Sequence, residues 1–116
     1  MKLLLDTHAL LWWWKDDPRL SRRAATAIAD EANTVLVSAA SAWEIATRHR
    51  MGKLPGAETA VRKFNELITA DGFGHLAVSY LHALKAGGFD IERRDPFDRM
   101  LAAQSLIEGA TLVTDD

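Results

Sequence analysis

The feature that most constrains this chain is an alternation of short apolar β-type runs with longer helical stretches. Lys2–Leu5 and residues 34–37 read as buried strands, the second rich in β-branched side chains. Residues 75–78 and 111–114 read as two more strands. Between them the spacing predicts helices over 8–14, 22–31, 39–51, 57–69, 81–86 and Pro96–Glu108. Ser21 is placed to cap the second helix and Gly52 to end the third. Strands that alternate with helices define an α/β fold around a largely parallel sheet.

Composition narrows what such a fold can do. The chain has 116 residues, which predicts one domain spanning 1–116. Lys and Arg number 14 against 16 Asp and Glu, so no general basic coat is present to hold nucleic acid. Cysteine is absent, which excludes disulfides, thiolate metal sites and Cys nucleophiles. A reducing, cytoplasmic setting is the expectation. Asp6 interrupts the apolar opening, so that segment reads as a strand rather than a signal peptide. The longest apolar run, residues 9–14, falls far short of the ~20 residues that span a bilayer.

Carboxylates recur where strands give way to helices. Asp6 ends the first strand; it is placed either to cap the next helix or to do chemistry at the sheet edge. Glu44 lies one to two turns into the helix after the second strand, and alone it reads as an i,i+4 surface partner of Arg48. In Asp95-Pro96-Phe97-Asp98, Asp95 is a good N-cap with Pro in the first helical position, and Asp98 sits where a capping box places its acid. Asp115 and Asp116 follow the last strand, as an acidic chain end or as part of a site. Taken together, these junctions all fall on one edge of a parallel sheet. Clustered acids repel, so such a site calls for a divalent cation. Mg²⁺ or Mn²⁺ takes oxygen ligands and suits phosphodiester hydrolysis.

Four segments resemble the PIN-domain ribonucleases of the VapC toxin type. They are Leu3-Leu4-Leu5-Asp6-Thr7-His8-Ala9-Leu10-Leu11-Trp12, Val37-Ser38-Ala39-Ala40-Ser41-Ala42-Trp43-Glu44-Ile45, Asp95-Pro96-Phe97-Asp98-Arg99-Met100-Leu101-Ala102-Ala103-Gln104 and Leu112-Val113-Thr114-Asp115-Asp116. They stand in the family's order and span nearly the whole chain. The resemblance implies a PIN-like three-layer α/β sandwich, a central mostly parallel sheet flanked by helices. It implies a Mg²⁺- or Mn²⁺-dependent endoribonuclease, toxin of a toxin–antitoxin pair, with Asp6, Glu44, Asp98 and Asp116 as catalytic metal ligands. Thr7, Ser38 and Thr114 would orient carboxylates or waters. The implied partners are RNA, a VapB-like antitoxin and a second copy in a homodimer, with no membrane. Family members usually continue past the fourth motif into a short strand or helix, so the domain is expected to lack that piece.

The remaining features admit plain readings. His8, His49, His75 and His82 lack zinc-site spacing and read as packing or surface residues. Arg48, Arg50 and Lys53, with Arg93, Arg94 and Arg99, form either a solvated charged face or a phosphate-binding rim for RNA. Trp12, Trp13 and Trp14 cannot all face inward on one short helix, which leaves aromatic surface for a partner. Two other functions compete: a non-catalytic binding module of the same fold, and a small-molecule phosphatase with an aspartyl nucleophile. The phosphatase class wants a second Asp where His8 stands.

Overall fold

The computed structural model describes residues 1–90 and 95–114. Its strands are β1 (Lys2–Leu5), β2 (Thr34–Ser38), β3 (Gly74–Leu76) and β4 (Thr111–Val113). Its helices are α1 (Thr7–Lys15), α2 (Arg22–Ala29), α3 (Ala39–Arg50), α4 (Glu58–Arg62), α5 (Phe64–Ala70), α6 (Tyr80–Gly88) and α7 (Pro96–Glu108). The strands form one parallel sheet in the order β3-β2-β1-β4. This is the expected α/β architecture.

Successive side chains of a strand point to opposite faces, and β1 buries both. Leu3 and Leu5 pack with Leu10 of α1, Ile45 of α3 and Ile68 of α5. Leu4 packs on the other face with Leu101 of α7 and Ala110. A strand apolar on both faces requires helices above and below, which makes three layers.

The order also fixes where a ligand can enter. The chain moves from β1 to β2 and β3 on one side, then returns to place β4 on the other. The strand order therefore reverses beside β1, and α/β sheets bind ligands at the carboxyl ends of strands flanking such a point. The Asp6 N–H donates to Val113 O at 3.0 Å, so the end of β4 is tied to the residue that ends β1.

Three elements differ from the sequence expectations. The helix expected over 57–69 divides at Lys63 (φ −120°, ψ 27°), which re-aims the chain between buried Ala60 and buried Ile68. The third strand starts earlier, at Gly74, where any Cβ would come within 2.9 Å of the Leu36 side chain. The sixth helix runs to Gly88 rather than stopping at Ala86. Its last turn is held from outside: the Arg99 guanidinium donates to Ala86 O at 3.2 Å and Phe89 O at 2.7 Å.

Candidate active site

Three helix N-termini meet the carboxyl edge of the sheet, and each start is set by a short polar side chain. Asp6 Oδ1 accepts from the Ala9 N–H at 2.7 Å and caps α1. Ser38 Oγ accepts from the Ala40 N–H at 3.0 Å and caps α3. Asp95 Oδ1 accepts from the Asp98 N–H at 2.8 Å and caps α7, with Pro96 in the first turn. Unpaired N–H groups and the aligned peptide dipoles make such ends electropositive. Acids gathered there repel one another less than they would elsewhere.

Contacts between helices hold these ends together. Thr7 Oγ1 donates to Ser41 Oγ at 3.2 Å, both residues being buried. Thr7 follows Asp6, and Ser41 lies one turn before Glu44 on the same face of α3, so this contact links the first two acids. Trp43 and Phe97 meet edge to face at 4.8 Å between centroids. They precede Glu44 and Asp98 in the chain, so α3 and α7 are joined at the level of the second and third acids.

Glu44 departs from a surface ion pair. Its side chain is only 4% exposed, and its Oε2 accepts from Arg48 Nη2 at 2.7 Å. A carboxylate withdrawn from water is costly without a countercharge, and Arg48 supplies one. Asp6 is half-buried and Asp98 exposed. Thr114 is half-buried beyond the end of β4. Asp115 and Asp116, with Arg93 and Arg94, lie outside the described residues.

The donor set suits a hard cation, because the acids at this edge offer oxygen alone. Glu44, a carboxylate withdrawn from water, already has Arg48 beside it, so such an ion would join or displace that countercharge. Among the described residues, no group of three His, Asp or Glu side chains lies close enough to hold an ion.

The basic residues divide. Arg48 is committed to Glu44 and Arg99 to the end of α6, whereas Arg50 and Lys53 are exposed near the end of α3. The histidines are spread over the fold: His8 stacks on Trp12, His49 faces Glu58 at 3.5 Å, and His75 meets Thr69 at 3.1 Å. His82 is buried between Ser79 and Glu108. All three consecutive tryptophans are half-buried. Trp13 packs on Phe73, Trp14 donates from Nε1 to Asp71 at 3.0 Å, and Arg19 lies over Trp12. They wall a groove of about 790 Å³ that also takes in Asp16, Asp17, Leu20 and Asp71.

Sequence reasoning missed Ser41 as the partner of Thr7 and missed the burial of the Glu44–Arg48 pair. The signal for Ser41 was its position three residues before Glu44, on the helix face turned toward α1. The i,i+4 spacing did give the partner of Glu44, but spacing carries no depth.

A parallel three-layer α/β domain with acids at the carboxyl edge beside its point of strand reversal is the class that fold and site define. A PIN domain family model matches residues 3–116, and the chain belongs to the PIN domain family. It is 38% identical over 69 residues to Ribonuclease VapC16 of Mycobacterium tuberculosis (strain ATCC 25618 / H37Rv), a stretch covering 56% of this chain and 49% of that relative. The chain thus spans about half the length of the curated relative it matches. Its fold is similar to that in the crystal structure of VapBC2 from Rickettsia felis bound to a DNA fragment from their promoter. That match has a TM-score of 0.66 and 19% identity and covers 100% of this chain and 88% of the other.

Proposed function

We propose that this chain is a single PIN domain over residues 1–116 acting as a divalent-metal-dependent endoribonuclease, the toxin of a toxin–antitoxin pair. The observation that carries the reading is the Thr7–Ser41 contact, which ties the strand-end acid Asp6 to the helix bearing the buried acid Glu44. Membership of the PIN family and the likeness to Ribonuclease VapC16 supply the reaction class.

Asp6, Glu44, Asp98 and Asp116 would hold Mg²⁺ or Mn²⁺. When bound, the ion supplies an activated water and offsets charge on a phosphodiester. The chain's own residues do the rest. Caps fix the backbone that carries Asp6 and Asp98, and the Thr7–Ser41 hydrogen bond sets the spacing of α1 and α3. Ser38 and Thr114 border the same edge and would orient carboxylates or waters. Among the described residues of the expected basic rim, exposed Arg50 and Lys53 would meet RNA phosphates from the end of α3 opposite its N-terminus.

A VapB-like antitoxin and a second copy of the chain are the proposed protein partners, and the tryptophan groove is the proposed seat of the antitoxin. Among the described residues no helix is long and apolar enough to cross a membrane, and the proposed setting is the cytoplasm, where such RNA is met. The test is cleavage of a mixed RNA pool with Mg²⁺, with Mn²⁺ and with chelator. Metal-dependent cutting by the wild type, lost in Glu44→Gln, is the expected result. A folded protein that binds metal yet cuts no RNA would favour the binding-module reading instead.

A further inference from the structure

The Glu44–Arg48 pair has a consequence for how the acidic edge survives without a cation. Glu44 is 4% exposed and Arg48 is 37% exposed, so the carboxylate is fixed while the guanidinium reaches it from the rim. The contact, Arg48 Nη2 to Glu44 Oε2 at 2.7 Å, has the length of a charge-assisted hydrogen bond. Both residues lie on α3, so the pair needs no other element to form. A cation approaching Glu44 meets a carboxylate whose charge Arg48 already offsets through Oε2, and it must share the group with that guanidinium charge or displace it.

We propose that Arg48 is a built-in countercharge that competes with the divalent cation for Glu44. This rests on the reading of Glu44 as a metal ligand. Arg48 is then a positioning residue with two effects of opposite sign. It stabilises the metal-free fold by neutralising a buried carboxylate, and it raises the metal concentration at which the site fills. A purely structural arginine would have only the first effect: its loss would weaken the fold and leave metal binding unchanged or weaker.

The experiment measures Mg²⁺ binding by calorimetry and metal-free melting for the wild type, Arg48→Gln, Arg48→Lys and Glu44→Gln, all in the full chain. Arg48→Gln is expected to melt at a lower temperature without metal and to bind Mg²⁺ about tenfold more tightly, the scale of one charge-assisted hydrogen bond forgone. Arg48→Lys keeps the charge and should restore both properties toward wild type. Glu44→Gln should bind Mg²⁺ more weakly than any other variant. In the wild type, Mg²⁺ should also shift the Arg48 guanidinium NMR signal with the calorimetric midpoint, a readout that stands even if Arg48→Gln fails to fold. Unchanged or weaker binding by a folded Arg48→Gln, or an Arg48 signal that stays put while Mg²⁺ binds, would overturn the competition and leave Glu44 as a ligand. Wild-type binding by Glu44→Gln would instead remove Glu44 from the metal site, and the inference with it.

Discussion

Thr7 Oγ1 and Ser41 Oγ share a buried hydrogen bond of 3.2 Å that joins the start of α1 to the first turns of α3. It spans 34 residues of sequence and adds a side-chain tie beyond the β1–β2 pairing to the segments that carry Asp6 and Glu44. Each hydroxyl is withdrawn from water, so each depends on the other.

Removing both partners should therefore cost less than the two single losses added together. Thr7→Val keeps the side-chain shape but leaves the Ser41 hydroxyl without its donor, at a cost of about 1–3 kcal/mol. Ser41→Ala should fall in the same range. The double variant should be destabilised by clearly less than the sum, because no buried hydroxyl is then stranded. Urea unfolding of the four proteins gives the coupling, and strictly additive losses would show that the two hydroxyls act independently.

Asp95 and Asp98 should separate into cap and ligand. Asp95→Ala removes the acceptor of the Asp98 N–H and should cost about 0.5–2 kcal/mol, while the folded fraction still cuts RNA. In the proposed acidic site Asp98→Asn removes one like charge, so metal-free stability should change little or rise. Metal affinity and cleavage should collapse. Melts without metal and single-turnover cleavage with it decide the matter; full activity in Asp98→Asn beside an inactive, folded Asp95→Ala reverses the assignment.

The turn after α1 should respond to acid. The Arg19 side chain and its backbone N–H both bond to Asp17, which lowers that carboxyl from 3.8 to about 2. A depressed acid stabilises the fold above its unfolded value, and that contribution fades as pH falls from about 4 toward 2. Arg19→Met should move the Asp17 midpoint back toward 3.8, as read from the carboxyl carbon by NMR. A midpoint that stays near 2 would place the cause elsewhere.

The tryptophan groove should matter to a protein partner and not to the fold. Trp12 touches His8 and Arg19 at the surface, whereas Trp13 and Trp14 are tied to Phe73, Phe64 and Asp71. Trp12→Ala should thus leave melting nearly unchanged. If the antitoxin seats here, its affinity should fall about tenfold or more, as for an aromatic anchor. Equal co-purification of wild type and variant would exclude this groove as its seat.

Much of this was legible because local rules and the fold agree. Pro96 after Asp95 set the start of α7, and Gly109 in the left-handed region (φ 64°) set its end. The apolar runs 3–5 and 35–37 marked the two adjacent strands at the sheet's centre. Where the outcome depended on packing, the pattern was silent. The turn at Lys63 lies inside a continuous amphipathic stretch, and Gly74 joins β3 because of its closeness to Leu36. Glu44 and Arg48 had the spacing of any exposed helical pair; only tertiary burial distinguishes theirs. Arg99 had the look of a rim cation, but its donors serve the carbonyls ending α6.

The central claim is that the acids at the carboxyl edge act together on RNA through a bound cation. Single-turnover cleavage of one RNA at increasing Mn²⁺, for the wild type and for Asp6→Asn, Glu44→Gln, Asp98→Asn and Asp116→Asn, tests it most directly. The account predicts saturable, metal-dependent cutting by the wild type, with each variant folded, weaker in metal binding and slower by at least about a hundredfold. Cleavage that persists in chelator, or that survives at wild-type rate in folded Asp6→Asn and Glu44→Gln, would contradict it.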